Sequence, residues 1–311
     1  MQTSNPRRPE RDQAPQREQG GAGLQGAEQA REQTREQEPT RYRRVCTIAG
    51  SDSGGGAGIQ ADIKAISALG CYAASVITAL TAQNTVAVRA IHTPPVEFTA
   101  AQIDAVFEDI GADAVKIGML ASAEIAAVVA ERLRFHHARS VVLDPVMVAK
   151  SGDRLLSQDA EQTIVSKLLP LADVITPNVP EAEVLSGLSV GADEASQRAV
   201  CEQLLGCGPR AVLLKGGHLS GETSVDLLAL READGSVRYR SYEMPRVQTA
   251  NSHGTGCSLS SAIAALLARG LGLEDAIGGA KEYLTQALQA GASYRLGTGH
   301  GPIHHFYAWW R

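Results

Sequence analysis

Short β-prone runs alternate with amphipathic stretches along most of this chain of 311 residues. The β-prone runs lie at 45–49, 74–80, 114–117, 140–143, 174–176 and 211–214. Between them, at 59–69, 97–110, 123–134 and 159–168, apolar residues recur at intervals of three and four. That spacing is typical of helices that bury one face. Strand–helix alternation predicts an α/β fold with a central, mostly parallel sheet and helices on both faces.

The pattern changes after residue 220. Two β-prone runs, 223–230 and 237–242, flank Asp234-Gly235, a dipeptide that favours a hairpin turn. Two helical patterns follow, at 256–269 and 273–291. No internal repeat is visible, so residues 45–311 are predicted to form a single domain.

Residues 1–44 have a different composition, rich in Gln, Arg, Glu, Pro and Gly, with Leu24 and Tyr42 almost the only large apolar side chains. Such a segment buries too little apolar surface to offset the entropy of ordering, so we predict a disordered N-terminal extension. A mitochondrial-type presequence is the alternative. Acidic residues such as Glu10 and Glu18 disfavour it, because transit peptides are poor in acidic residues.

Composition narrows the classes of function. Hydrophobic residues make up 44% and charged residues 20%, which suits a globular chain with a sizeable core. The net charge of −5 and the lack of a basic stretch argue against a nucleic-acid partner. The five cysteines include no CxxC pair, so neither a zinc knuckle nor a redox pair is indicated. Without an apolar run of membrane-spanning length or a secretory signal, we expect a cytoplasmic protein with no membrane partner.

The first glycine-rich loop is Gly50-Ser51-Asp52-Ser53-Gly54-Gly55-Gly56-Ala57-Gly58, between the first β-prone run and a helical pattern. Its spacing fits neither the dinucleotide fingerprint nor the Walker loop, which needs a following Gly-Lys-Ser/Thr. It could be a plain tight turn. The functional alternative is a backbone wall against a small substrate, since glycine allows close approach, with Asp52 and Asp62 as polar neighbours.

The second loop contains Gly254-Thr255-Gly256-Cys257 and directly precedes a helical pattern. Backbone N–H groups at a helix N-terminus converge on one point and suit an anion, such as a phosphoryl group in transfer. In that position the pKa of Cys257 is predicted to be lowered, which would suit a base or a substrate contact. The alternative is an ordinary capped helix with a cysteine that only packs.

Polar residues also follow several of the β-prone runs, where ligands of doubly wound sheets collect. They are Gln83, Asp144, Asn178, Glu181, Lys215 and Gly216. An Asn-x-x-Glu that opens a helix can hold Mg²⁺ through its waters. Alternatively, Glu181 is only a helix-dipole partner and Asp144 only a turn residue.

Together these motifs resemble the hydroxymethylpyrimidine/phosphomethylpyrimidine kinases of thiamine biosynthesis, within the ribokinase-like superfamily. The similarity covers residues 45–310 and is most specific at 49–62, 77–85, 116–119, 143–147, 175–178, 215–218 and 253–257. The ending at 301–306 also looks like that family's C-terminus.

The resemblance implies an ATP- and Mg²⁺-dependent kinase that phosphorylates 4-amino-5-hydroxymethyl-2-methylpyrimidine and then its monophosphate. Because members of this superfamily are often dimers, the resemblance also implies a homodimer. The resemblance implies a substrate site formed by Gln83, Asp62 and Gly50, and an ATP site formed by Lys215, Gly216 and Asn178. It implies a metal site at Glu181 and Asp144. The anion hole would be formed by Gly254, Thr255, Gly256 and Cys257, where the Cys257 thiol takes the place of the aspartate base of sugar kinases.

Two alternatives remain at this point. A pyridoxine/pyridoxal kinase of the same fold shares the Gly-Thr-Gly-Cys turn. A non-catalytic ligand sensor would keep the pyrimidine pocket but would have no reason to retain the anion hole, the metal motif and the thiol together.

Overall fold

The structure, a computed structural model, describes residues 40–147, 158–218 and 221–310. Residues Tyr42–Arg311 form one compact unit. The predicted extension, 1–44, lies almost wholly outside the described residues, so its disorder stays a prediction; the first strand begins at Arg44. No helix in the described ranges is both long enough and apolar enough to cross a bilayer.

The core of the fold is a nine-stranded sheet with the order β3-β2-β1-β4-β5-β6-β7-β8-β9. The strands are β1 (Arg44–Asp52), β2 (Tyr72–Gln83), β3 (Val88–His92), β4 (Ala114–Ile117), β5 (Val141–Leu143), β6 (Val174–Ile175), β7 (Ala211–Lys215), β8 (Thr223–Arg231) and β9 (Val237–Pro245). From β2 to β7 neighbouring strands pair in parallel, whereas β3 at one edge and β8–β9 at the other pair antiparallel. The predicted mostly parallel sheet and the hairpin are confirmed.

Helices cover both faces of the sheet, as predicted. They are α1 (Gly58–Ala68), α2 (Val96–Ala105), α3 (Ala123–Phe135), α4 (Gln158–Thr163), α5 (Val179–Ser186), α6 (Glu194–Gly206), α7 (Thr255–Ala268) and α8 (Leu273–Gly291). The apolar residues of α1, α7 and α8 form one buried cluster with the sheet. Those of α2 to α6 form the other.

Side-chain alternation along the central strands divides the core between these clusters. In β1, Val45 faces the α1–α7–α8 side and Cys46 faces the opposite side. The same period of two puts Thr47 of β1 and Lys116 of β4, which are paired in register, on the α1–α7–α8 side. Both polar side chains are fully buried there. Because burying polar groups is costly, two of them in the middle of an apolar face make this part of the core a candidate functional region.

The sequence prediction did not include β3 or α6. Four of the five residues of β3 are exposed, so it carries no alternating apolar pattern to detect. The helical stretches predicted at 97–110 and 159–168 each end in a π-helical turn, Val106–Ile110 and Ile164–Leu168. The β-prone run at 74–80 is the middle of the longer strand β2, which places Gln83 at its last position.

Candidate active site

Two cavities lie on either side of the N-terminus of α7, close to the carboxyl ends of the parallel strands. The smaller cavity has a volume of about 140 Å³, and its lining includes Gly50, Gln83, Lys116, Gly254 and Cys257. The larger cavity has a volume of about 370 Å³, and its lining includes Asn178, Lys215, Asp226, Thr255 and Lys281. The loop and first turn of α7 therefore form a wall shared by the two spaces.

The N-terminus of α7 begins from a glycine and offers its backbone N–H groups to a ligand. Gly254, the N-cap residue, has a φ of 78°, which favours glycine, and has no side chain to cap the helix. The leading N–H groups of a helix lack intrahelical partners and attract anions. A side chain at Gly256 would contact Lys215 and Asp144, so this part of the turn lies against a charged cluster. The arrangement fits the predicted anion hole better than an ordinary capped helix.

The two glycine loops touch each other. A Cβ atom at Gly56 would clash with the ring of His253, and one at Gly254 would clash with the carbonyl oxygen of Gly56. Glycine is needed at both positions for this approach. The first loop is thus more than a tight turn, because the turn at the start of α7 rests against it.

Asp52 fixes the first glycine loop. Its carboxylate accepts hydrogen bonds from the backbone N–H groups of Gly54 (2.8 Å), Gly56 (3.1 Å) and Ala57 (2.9 Å). His253 Nε2 lies 2.9 Å from Asp52 Oδ2. Burial alone would raise the pKa of Asp52, but the hydrogen bonds from His253 and the backbone outweigh it, so the pKa lies below its ordinary value. The sequence analysis named Asp52 only as a polar neighbour and missed this role.

Of the three predicted substrate residues, Gln83 and Gly50 line the smaller cavity. The Gln83 side chain reaches it from the end of β2, with Oε1 3.2 Å from Thr81 Oγ1 and Nε2 3.4 Å from His253 Nε2. The cavity thus offers an amide that can both donate and accept hydrogen bonds.

Asp62 lies elsewhere than the resemblance implied. Its side chain is fully buried, and its two oxygens each lie 2.9 Å from Lys116 Nζ. Thr47 Oγ1 and Ser261 Oγ also donate to it, at 2.6 Å and 2.7 Å. Asp62 has its hydrogen-bonding capacity taken up inside the protein and is absent from the cavity lining, where Lys116 appears instead.

The Cys257 thiol is neutral at physiological pH. Burial raises its pKa to about 11, although the Lys116 ammonium acts in the opposite direction. The predicted lowering of this pKa is wrong, because desolvation of the thiolate outweighs the helix N-terminus and the nearby cation. For Lys116 itself, burial lowers the pKa, but the Asp62 carboxylate more than offsets this, so the pKa lies above its ordinary value and the amine stays charged.

The predicted polar residues after β5, β6 and β7 do come together. Lys215 Nζ lies 2.8 Å from Asp144 Oδ1 and 3.9 Å from Glu181 Oε2. Asn178 and Glu181 form a capping box at the start of α5, in which each side chain accepts the other's backbone N–H. Glu181 thus lies in the first turn of α5, as the helix-dipole alternative requires, and Oε2, which accepts the Asn178 N–H, is also the oxygen nearest Lys215.

This cluster has the charge that a divalent cation requires. Two carboxylates face one ammonium, and burial raises the pKa of Glu181 to about 7, with Asp144 adding to the rise. The Lys215 ammonium opposes this rise but does not cancel it, so further positive charge at the cluster would favour the ionised form. Within the described ranges, no three His, Cys, Asp or Glu side chains form a direct metal cage. The residues fit Mg²⁺ held largely through water and phosphate oxygens, as this ion prefers.

In the larger cavity, a second buried lysine–aspartate pair supports the backbone after β7. Lys281 Nζ lies 2.7 Å from Asp226 Oδ2, and Gly216 N–H donates to Asp226 Oδ1 at 2.9 Å. The predicted residues Lys215 and Asn178 line this cavity. Leucines 259, 284 and 288 give it an apolar side. The space therefore combines cationic groups with a surface that suits a flat ring.

The C-terminal segment packs beneath the turn at the start of α7. His253 N–H donates to the carbonyl oxygen of Gly301 at 3.0 Å. The Ser258 hydroxyl lies 2.8 Å from His305 Nε2, and the Tyr283 hydroxyl donates to the carbonyl oxygen of His305 at 2.9 Å. Burial lowers the pKa of His305 to about 3, so its ring is neutral. This segment holds the first turn of α7 from below.

Comparison with known proteins identifies this arrangement. Residues 52–304 match the family described as phosphomethylpyrimidine kinase. A hydroxymethylpyrimidine/phosphomethylpyrimidine kinase of Rhizobium meliloti (strain 1021) is 51% identical over 85% of this chain and 97% of its own length.

Solved structures agree. A phosphomethylpyrimidine kinase from Clostridium difficile 630 is 44% identical, with a TM-score of 0.69 over 79% of this chain and 99% of its own. The ADP complex of a Bacillus subtilis pyridoxal kinase is 33% identical, with a TM-score of 0.78 over 86% of this chain and 98% of its own. The fold is ribokinase-like and the chain is a kinase: it belongs to the phosphomethylpyrimidine kinase family.

Proposed function

We propose that this chain transfers the γ-phosphoryl group of ATP to the hydroxymethyl oxygen of 4-amino-5-hydroxymethyl-2-methylpyrimidine, and then a second phosphoryl group to the monophosphate. The observation that carries the proposal is the shared wall: the N-terminus of α7 separates two cavities and presents N–H groups between them. A phosphoryl group that passes from one cavity to the other must cross those N–H groups, which stabilise its negative charge.

The smaller cavity is the acceptor site. The Gln83 amide offers donors and an acceptor for the aminopyrimidine ring, and Gly50 allows the ring to lie close to the backbone. Because the thiol of Cys257 is protonated near neutral pH, we assign it as a contact to the reacting oxygen and withdraw the role of general base. Asp62 acts indirectly, by holding Lys116 in place.

The larger cavity is the ATP site. Lys215 provides positive charge for the phosphates and Asn178 lines the same cavity. Gly216 follows Lys215 and is held by its hydrogen bond to Asp226, which also lines the cavity. The apolar side at leucines 259, 284 and 288 suits the adenine ring. Asp144 and Glu181 would hold Mg²⁺, which would neutralise phosphate charge during transfer.

The deciding experiment is incubation of the protein with ATP, Mg²⁺ and the hydroxymethylpyrimidine, with products measured by mass spectrometry. We expect a monophosphate followed by a diphosphate, with one ADP formed for each phosphoryl group transferred and therefore two for each diphosphate. Lys215→Ala should abolish most of the turnover. Absence of phosphorylated pyrimidine from the wild-type reaction, with ATP left intact, would rule the proposal out and favour the non-catalytic sensor.

Pyridoxal is the second candidate acceptor, because the Bacillus subtilis structure of a pyridoxal kinase has a TM-score of 0.78 with this chain. Steady-state kinetics on both compounds separate the two. We expect kcat/KM to favour the pyrimidine; a preference for pyridoxal of about tenfold, roughly 1.4 kcal/mol in transition-state free energy, would reverse the assignment.

We also propose a cytoplasmic homodimer. Free thiols at all five cysteines suit a reducing compartment. Exposed apolar side chains at the β2–β3 edge, Leu80, Val86 and Ile91, suit contact with a second copy. Light scattering of the purified protein gives the mass directly, and a monomer at micromolar concentration would contradict the dimer.

A further inference from the structure

Lys116 is an unusual lining residue of the smaller cavity. Its side chain is fully buried in the middle of β4, yet it contributes to the cavity wall. Among the described residues that line this cavity, Lys116 is the only lysine or arginine, and Asp52 supplies a carboxylate. The charge available to a bound acceptor therefore depends strongly on this one ammonium.

The contacts that the described residues make with Lys116 hold it in its charged form and occupy two of its three N–H donors. A lysine ammonium has three N–H groups. Two point to the Asp62 oxygens, each at 2.9 Å. Asp62 is itself fixed by Thr47 and Ser261. The third N–H can be offered to a molecule in the cavity, and because the group is already desolvated, no further dehydration of the ammonium opposes that contact.

The same ammonium lies near the reacting position. Lys116 acts electrostatically on the Cys257 thiol, and both side chains line the smaller cavity. The α7 N-terminus also meets this cavity at Gly254. An acceptor oxygen placed beside the thiol for transfer is thus within the field of Lys116.

The two acceptors of the proposed reaction differ greatly in charge. In the first step a neutral hydroxyl attacks the γ-phosphorus, the bond from that phosphorus to the β–γ bridging oxygen breaks, and ADP leaves while the hydroxyl proton is released. In the second step a phosphate oxygen attacks in the same way, but the acceptor group carries about −1.5 to −2 charges at pH 7. Bringing that anion to the phosphates of ATP requires positive charge on the acceptor side.

We propose that Lys116, held by Asp62, is the specificity-determining cation that allows the smaller cavity to accept a phosphorylated acceptor as well as a neutral alcohol. This inference rests on the proposed function. It assigns Lys116 a direct contact with the acceptor phosphate in the second step, and assigns Asp62 the positioning of that lysine.

The test compares the two steps in variants that remove the charge pair. Lys116→Met alone would leave Asp62 as an unpaired buried carboxylate, so it is combined with Asp62→Asn. The chain supplies a matched control in its other buried pair, Lys281 with Asp226, which lines the larger cavity. The control variant is Lys281→Met with Asp226→Asn. Each purified protein is assayed with the alcohol and with the monophosphate as separate substrates.

We expect kcat/KM for the monophosphate to fall at least about tenfold more than kcat/KM for the alcohol in the Lys116/Asp62 variant, because only the charged acceptor loses an ion pair. In the Lys281/Asp226 variant both steps use the same ATP site and should fall by the same factor. Lys116→Arg should preserve the ratio between steps. Equal losses for both acceptors in the Lys116/Asp62 variant would overturn the inference, while leaving the proposed function intact.

A measurement on the wild-type protein covers the case in which the Lys116/Asp62 variant does not fold. The affinities of the alcohol and of the monophosphate are compared by calorimetry, without ATP. The inference requires the monophosphate to bind at least as tightly as the alcohol, despite the Asp52 carboxylate in the lining. Binding of the monophosphate about tenfold weaker than the alcohol, roughly 1.4 kcal/mol, would reject it. If the wild-type protein phosphorylates neither compound, the proposed function itself has failed.

Discussion

Gly254 and Gly56 meet backbone to backbone: a side chain on Gly254 would overlap the carbonyl oxygen of Gly56. The contact joins the glycine loop beside the proposed acceptor cavity to the turn proposed to bind the migrating phosphoryl group. The position of the proposed anion hole therefore depends on the absence of a side chain at each residue.

Replacement of Gly254 by alanine should impair catalysis more than folding. The methyl group displaces the turn from the glycine loop, and a displacement of about 1 Å can cost roughly a hundredfold in rate. Gly270→Ala is the matched control, because Gly270 also has a positive φ (92°) but has no atom within 4 Å of an added Cβ. Both variants should lose about 1–2 kcal/mol from backbone strain, measured by urea unfolding. Only Gly254→Ala should lose kcat/KM, and similar kinetics in the two variants would contradict the contact.

Alkylation of Cys257 should be slow. The reactive species is the thiolate, and burial raises the pKa of this thiol to about 11 from an ordinary value of 9.0. At pH 8 iodoacetamide should therefore modify Cys257 roughly a hundredfold more slowly in the folded protein than in urea. Peptide mass spectrometry measures the rate at this residue. Equal rates in the two states would show that folding does not raise the pKa of this thiol, and a faster rate in the folded protein would restore the role of base.

The charge state of Glu181 should make stability depend on pH and Mg²⁺. Its folded pKa of about 7 lies above its ordinary value of 4.5, so its contribution to stability is fully present below about pH 4.5 and is lost as pH rises through 7. The melting temperature of Glu181→Gln, relative to wild type, should accordingly be higher at pH 8 than at pH 5.5.

Addition of Mg²⁺ at pH 8 should raise the melting temperature of the wild-type protein and leave Glu181→Gln nearly unchanged, because the ion compensates the ionised carboxylate. Sodium chloride at the same ionic strength controls for screening. An equal response of both proteins to Mg²⁺ would place the metal elsewhere.

Asp52→Ala should destabilise the protein and weaken acceptor binding. Three backbone N–H groups and His253 lose their acceptor, which we expect to cost about 2–4 kcal/mol. The folded pKa of Asp52 is depressed below 3.8, so this stabilisation is present above pH 3.8 and is lost as pH falls through the folded value.

Urea unfolding at several pH values checks this. The difference in free energy of unfolding between wild type and Asp52→Ala should be constant from pH 6 to 7.5 and shrink in acid. A difference below about 0.5 kcal/mol at pH 7 would mean that the loop does not depend on Asp52.

Much of the fold could be predicted because the apolar residues recur with the period of a strand or of a helix. Strand β4 was found from a run of only four residues, since Ala114, Val115 and Ile117 are buried on both faces of the sheet. Strand β3 was missed because most of its residues are exposed and their pairing with β2 is a tertiary effect.

The site was less predictable than the fold. Parallel strands end at one edge of a sheet, which predicts that Asp144, Glu181 and Lys215 lie close together. The structure places both carboxylates within ion-pair distance of Lys215. The partnership of Lys116 with Asp62 spans 54 residues and depends on which face of β4 meets α1, so no local pattern predicts the distance between them. The available signal is a lysine inside the otherwise apolar strand Ala-Val-Lys-Ile. Such a lysine indicates a buried ion pair but does not identify its partner.

The contacts of the C-terminal segment also bear on truncation. Gly301 and His305 support the first turn of α7 but belong to no strand of the sheet. Removal of residues 301–310 would therefore leave the paired strands in place and take away the lower support of that turn. A chain shortened in this way should be folded in its larger part and unable to turn over ATP.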